Sequence, residues 1–225
     1  MRRVLIVGPG RMGKLVESLC ADYGMEVAGS IGRRDAGNPD AWPNADVAID
    51  FSVADAVPAN LPRLAARGMD LVIGTTGWQA HRDALKEEAA RHSIGVVAAA
   101  NFALGVNLFV ALATRAGELF AAQKEFGAWI HELHHSAKRD APSGTALTLE
   151  AAMREAGFTR PIDIASTRAG SIPGTHTIGF DAAAETITLT HAARDRSIFA
   201  RGALEAARWV EGKRGWFSMQ DVLGL

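Results

Sequence analysis

Residues 4–13 read VLIVGPGRMG, a short apolar run with two valines and an isoleucine that breaks at once into three glycines, Gly8, Gly10 and Gly13, in a G-x-G-x-x-G pattern. A run of this kind is a buried strand, and the residues that follow carry helical periodicity in Met12, Leu15, Val16, Leu19 and Cys20. The expected unit is a strand, a tight glycine turn and a helix. Gly8 permits the turn, Gly10 lets the backbone approach a pyrophosphate, and Gly13 lets the helix pack close to the strand. The helix start then offers free N–H groups and a positive dipole end to phosphates. Alone, the glycine pattern fits a plain Gly-rich turn equally well. Its position between a strand and a helix, with a second strand to follow, favours dinucleotide binding.

The rest of the first half repeats that rhythm. Strands are expected at 3–7, 25–29, 46–51, 70–73 and 94–99, with helices at 11–23, 57–67 and 79–92 between them. Short connections between alternating strands and helices imply a doubly wound parallel sheet. After about residue 102 the rhythm changes. A long helix (104–120) and a strand (128–133) lead to a helix at 144–156 with Ser143 as its N-cap, then to strands at 162–167, 175–181 and 185–191. This reads as an inserted α+β domain on an open mixed sheet. A helix at 198–210 and a Gly-rich tail carrying Trp216 and Phe217 close the chain. The fold class is therefore α/β, a Rossmann-like sheet plus the inserted domain.

Composition narrows the function classes. Hydrophobic residues make up 48% and charged residues 22% of 225, a globular balance that excludes dominant disorder. The formal net charge of −1 gives no general attraction to nucleic acid. The apolar stretch Ile94–Ala113 is broken by Asn101, Asn107, Gly95 and Gly105, so it reads as a strand running into a helix and not as a membrane span. One cysteine, Cys20, excludes an internal disulfide, and the apolar run before Gly8 is too short for a signal sequence. A soluble cytoplasmic protein is expected.

Two further places carry chemistry. After the second strand comes Gly29-Ser30-Ile31-Gly32-Arg33-Arg34, with no acid before Asp35. A ribose-binding carboxylate usually stands there, whereas paired arginines suit a 2′-phosphate; Arg33 and Arg34 thus point to NADPH over NADH, against the alternative of two solvated arginines. The second place is Glu132–Ala146, ELHHSAKRDAPSGTA, which holds two histidines, a lysine and an arginine just before a helix start. It combines an anion-binding helix terminus with acid–base groups, and lysine is scarce enough (five in the chain) for Lys138 to stand out. Structural histidines at a strand end are the plainer reading of His134 and His135. A shared metal is disfavoured, because His131 and His135 would lie on one strand face and His134 on the other. Ser143 lacks a nucleophile-elbow context and fits a cap.

These segments, with GTTG at Gly74–Gly77, ANFALGVNL at Ala100–Leu108, STRAG at Ser166–Gly170, GTH at Gly174–His176 and RSIFARGA at Arg196–Ala203, resemble the dihydrodipicolinate reductase family in order over nearly the whole chain. The resemblance implies a nucleotide domain of residues 1–101 plus 196–225 and an inserted substrate and oligomerisation domain of residues 102–195. It implies a homotetramer that reduces a cyclic imine dicarboxylate of the diaminopimelate and lysine pathway with NADPH or NADH and no metal. Carried over by position, Gly8, Gly10, Arg11, Met12 and Gly13 would hold the pyrophosphate. Gly74, Thr75 and Thr76 would flank the nicotinamide ribose, and Ala100, Asn101 and Phe102 the nicotinamide ring. His134 and Lys138 would supply acid–base chemistry, and His135, Lys138, Gly144 and Thr145 would bind the substrate carboxylate, with Lys138 as first choice of proton donor and neighbouring cations tuning it. Trp129 stands where the family often has a glutamate. Two other readings share the scaffold: another NAD(P)-dependent reductase or dehydrogenase of a small carboxylate, and a non-catalytic dinucleotide sensor. An acyl-transferring dehydrogenase would need a better placed cysteine than Cys20, and a sensor would have no need of the His134–Lys138 cluster.

Overall fold

The first strand, β1 (Arg2–Val7), is fully buried from Val4 to Val7, and the glycine turn delivers the chain into α1 (Arg11–Leu19). The computed structural model describes residues 1–225 and divides them into two units, 1–104 with 197–225, and 105–196. In the first unit β2 (Met25–Ile31), β3 (Val47–Asp50), β4 (Asp70–Ile73), β5 (Gly95–Ala98) and a late strand join β1 in a six-stranded sheet. All of its pairings are parallel. Helices α2 (Ala56–Ala65) and α3 (Arg82–Arg91) cover one face. The other face is covered by α1 and by α6 (Ser197–Trp209). The alternation of β1 explains why two cores form. Leu5 and Val7 point to α2 and α3, while Val4 and Ile6 point to α1 and α6.

Several details depart from the sequence expectation. The first helix ends at Leu19 and continues as a 3-10 turn, Cys20–Tyr23, closed by Gly24 in the left-handed conformation. The second strand runs on to Ile31, so Gly29 and Ser30 are sheet residues and the loop begins at Gly32. The Gly-rich tail, to which the sequence assigns no element, forms β10 (Gly215–Phe217) and α7 (Met219–Leu223). Its three strand residues pair with β5, and alternation sends Trp216 against Trp78 and Phe217 against Trp209.

The second unit is a four-stranded sheet of β6 (Gly127–His134), β7 (Ile162–Arg168), β8 (Thr175–Asp181) and β9 (Thr186–Ala192), in the order β7-β6-β8-β9. Strand β7 is parallel to β6, and the other pairs are antiparallel, which gives the mixed sheet. Helices α4 (Leu104–Ala121) and α5 (Gly144–Glu155) pack on one face around Phe109, Ala113, Leu149, Met153 and Phe180. Helix α4 is long and apolar enough to cross a membrane by length and composition, yet its Phe109–Ala113–Ala116 stripe lies in this core. The opposite sheet face carries Trp129, His131, Thr177, Thr188 and Thr190, half-buried or exposed.

Candidate functional site

In the first unit the strand order reverses beside β1, which pairs with β2 on one side and β3 on the other. The loops leaving those strands must part there, opening a crevice at their carboxyl ends. The structure has a cleft of about 450 Å³ at this point, lined by Gly8, Pro9, Gly10, Ile31, Gly32, Arg33, Trp42, Phe51, Ser52 and Asn60 among others. Gly8, at φ +89°, passes so close to β3 that a Cβ would lie 2.6 Å from the Phe51 carbonyl oxygen, and a Cβ at Gly13 would lie 2.3 Å from that of Gly8. Nothing occupies the space that a Cβ at Gly10 would face. Helix α1 has Gly10 as N-cap with no side-chain acceptor, so its first N–H groups stay available to an anion. A glycine cradle and a free helix terminus opening on this cleft fit the pyrophosphate of a dinucleotide.

Of the two arginines, Arg33 lines the cleft and Arg34 does not. Asp35 turns its carboxylate back to accept from the Gly32 N–H at 2.7 Å, leaving no acid among the lining residues. A second hollow of about 230 Å³ brings Met12 together with Gly74, Thr75 and Thr76. Arg11 is exposed at the start of α1, and Ala100 is exposed in the loop after β5. Asn101 accepts from the Ala103 N–H at 2.9 Å. Phe102 is a core residue, 1% exposed, edge-on to Phe51, so its side chain is occupied by packing.

One residue here went unnoticed in sequence. Asp50, buried at the end of β3, accepts from the Ser52 N–H and hydroxyl (2.9 and 2.7 Å) and from the Thr75 hydroxyl (2.7 Å). It ties the loop after β3 to the loop after β4. Burial raises its pKa against the pull of those donors.

In the second unit, β6 delivers His134 at its end, and the following segment turns back through Lys138 to α5. Ser143 caps that helix as expected: its hydroxyl accepts from the Ala146 N–H at 3.2 Å. The N–H groups of Gly144 and Thr145, at the first two helical positions, have no intrahelical acceptor and remain for an anion. His135 is half-buried beyond the strand end. Lys138 Nζ donates to both oxygens of Asp140 at 2.8 Å, so the direct neighbour of this ammonium is an anion and not the tuning cations expected from sequence.

The strand faces separate as alternation requires. His131 bonds the Thr167 hydroxyl at 2.9 Å, while His134 turns to the opposite face with Glu132. Glu132 is 0% exposed, and its Oε1 accepts from Arg168 Nη2 at 2.7 Å and from the Ser143 N–H at 3.3 Å. Its Oε2 meets His134 Nδ1. His176, opposite Glu132 on β8, lies edge-on to His134 with ring centroids 5.1 Å apart and bonds the Ser143 hydroxyl at 3.0 Å. Since the Ser143 oxygen already accepts from the Ala146 N–H, its proton is free for His176 Nε2. Burial would raise the Glu132 pKa, but donors from Arg168, Ser166 and His134 prevail and hold it at about 2. Burial, and then the neighbouring His134, keep His176 neutral with a pKa near 4, and burial also lowers that of His134. The ligand atoms of Glu132, His134 and His176 lie within 4.8 Å of one another, a spacing a metal ion uses. Both Glu132 oxygens, however, are engaged by protein donors, one of them a guanidinium, so its charge is already compensated. The three residues are joined through Ser143 into one hydrogen-bonded network.

Comparison with known proteins follows the same division. A model of the dihydrodipicolinate reductase N-terminus matches residues 2–102, and one of the dihydrodipicolinate reductase C-terminus matches residues 105–223. The 4-hydroxy-tetrahydrodipicolinate reductase of Acidiphilium cryptum is 43% identical over 245 residues, covering 99% of this chain and 98% of its own. The protein of that name from Methanoregula boonei is 37% identical over 255 residues, covering 100% and 99%. Among solved structures, the dipicolinate-bound dihydrodipicolinate reductase of Paenisporosarcina sp. TG-14 shares the fold with a TM-score of 0.82, at 23% identity and 97% of each chain. A myo-inositol dehydrogenase of Corynebacterium glutamicum is more distant in fold, with a TM-score of 0.54 over 96% of this chain and 90% of its own. With both halves matched and relatives aligned from end to end, the chain belongs to the dihydrodipicolinate reductase family.

Proposed function

We propose that this protein is a 4-hydroxy-tetrahydrodipicolinate reductase, converting the dihydrodipicolinate-type cyclic imine to tetrahydrodipicolinate in diaminopimelate and lysine biosynthesis. One observation carries the reading beyond family membership. A single connected segment holds a free helix terminus (the N–H groups of Gly144 and Thr145), an ammonium (Lys138) and a buried imidazole (His134). A dicarboxylate that must receive a proton requires that combination.

NADPH, when bound, supplies a hydride to the far end of the conjugated imine. The Gly8–Gly13 loop and the α1 terminus would hold its pyrophosphate, Thr75 and Thr76 would flank the ribose, and Ala100 and Asn101 would border the nicotinamide. Arg33 lines the cleft where no carboxylate does, which supports preference for a 2′-phosphate. On the substrate side, Gly144 and Thr145 hold one carboxylate, with His135 and Lys138 beside it. As electrons move toward the ring nitrogen, Lys138 gives a proton to the carbon next to the reduced one, and His134 orients the exchange. The substrate is its own electron sink, so the reaction proceeds without a metal.

We also infer a cytoplasmic homotetramer. Association is supported by the second sheet's exposed face, where Trp129 lies against Gly179 of β8 among threonines of β8 and β9. The function is tested by NADPH oxidation at 340 nm in a mixture of aspartate semialdehyde, pyruvate and the preceding synthase. Oxidation that requires every component is expected, whereas oxidation indifferent to the synthase rejects the assignment. Light scattering of the purified protein alone should give four times the chain mass.

A further inference from the structure

Taking that reading of His134 as given, we propose that Glu132 is its positioning residue: a buried carboxylate, clamped by Arg168, that accepts the His134 Nδ1 proton and leaves Nε2 as the working end of the ring. The geometry comes from period-two alternation, which places residues 132 and 134 side by side on one face of β6. An ionised carboxylate only accepts hydrogen bonds. With Arg168 Nη2 and the Ser143 N–H donating to Oε1, the bond between Oε2 and His134 Nδ1 has its proton on the imidazole. Arg168 is itself fixed, donating to the Asp140 carbonyl at 2.6 Å and the Thr167 carbonyl at 2.9 Å. The backbone of His134 is held as well, its carbonyl accepting from the Ala169 N–H at 2.9 Å.

The other end of the ring has been kept clear. Nε2 lies 3.1 Å from the position a Cβ would take at Gly174, so a side chain there would press on it. The charged and titratable groups facing His134 are Glu132 on its own strand, Arg168 on β7, His176 on β8 and Lys138 on the loop after β6. Burial, Lys138 and Arg168 favour the neutral ring, and the carboxylate of Glu132 opposes them.

The primary test needs no turnover. Nitrogen-15 NMR of the imidazoles in the full chain should show His134 as the Nδ1–H tautomer at pH 7. An Nε2–H tautomer overturns the proposal whether or not the chain is active, while inactivity with the expected tautomer counts against the proposed function alone. The second test is Glu132→Gln, which keeps shape and removes charge. It should lower kcat about 10- to 100-fold with KM for the imine substrate changed less than about 3-fold. The acidic limb assigned to His134 in the pH profile should move about one unit down. An unchanged limb, or a loss confined to KM, would make Glu132 a structural anchor of β7 and α5. If the variant does not fold, the tautomer measurement on the unmodified chain decides.

Discussion

At the scale of single residues, the two arginines after β2 make the cofactor reading testable one at a time. Arg33 lines the cleft and Arg34 does not. Arg33→Ala should therefore raise KM for NADPH about tenfold, the loss of one charge-assisted pair, while KM for NADH stays within about twofold. Arg34→Ala should leave both nearly unchanged. Equal losses with the two cofactors for Arg33→Ala would mean that Arg33 does not hold a 2′-phosphate. Lys138 is the other residue with a distinct kinetic signature. As proton donor, its change to Ala should cut kcat by a factor of about 10² to 10⁴ with a much smaller change in KM. A rise in KM alone would reassign it to carboxylate binding.

At the scale of elements, helix α5 and its cap join stability to chemistry. Ser143 accepts the Ala146 N–H and partners His176, so Ser143→Ala removes a cap and strands a buried imidazole nitrogen. The expected cost in urea unfolding is about 1–2 kcal/mol, and Ser143→Thr should recover most of it. This cap was legible in sequence because it depends on one local stretch, as was the glycine turn between β1 and α1. The network around it was not. Glu132 meets His176 through the antiparallel register of β6 with β8, and His134 lies opposite Arg168 through the parallel register of β6 with β7. Partners 36 and 44 residues apart, as Glu132–Arg168 and Glu132–His176 are, become neighbours only once the sheet order is known. Strand β10 is illegible for another reason: a three-residue strand that begins with a glycine carries too little alternation to register.

At the scale of the whole molecule, the buried ionisable groups predict how stability follows pH. In the second unit Glu132 is held at about 2 against an ordinary 4.5. Its contribution is complete above about 4.5 and is lost as pH falls toward 2. His176, at about 4 against 6.5, is buried neutral, so stability begins to fall below 6.5 as the unfolded chain takes up a proton the folded one refuses. His134 and His191 are shifted in the same direction by burial. Asp50 and Asp70 of the first unit, raised by burial, work oppositely and lose stability as pH rises through their folded values. The second unit should therefore unfold first in acid. Its only tryptophan is Trp129, so Trp129→Phe should remove that event from the acid-induced change in emission and leave the signal of the four tryptophans of the first unit. His176→Asn should flatten the decline between pH 6.5 and 4, worth on the order of 3 kcal/mol at most.

Reduction of a cyclic imine by hydride from a nicotinamide cofactor can be read from the fate of the transferred hydrogen. Run the coupled reaction with NADPH carrying deuterium at both positions of its reactive carbon and locate the label in the product by NMR. One deuterium per product molecule is expected, on the ring carbon at the far end of the conjugated system, with the adjacent carbon protonated from solvent. Cofactor oxidation without label in the product, or label on the carbon bonded to nitrogen, would contradict it.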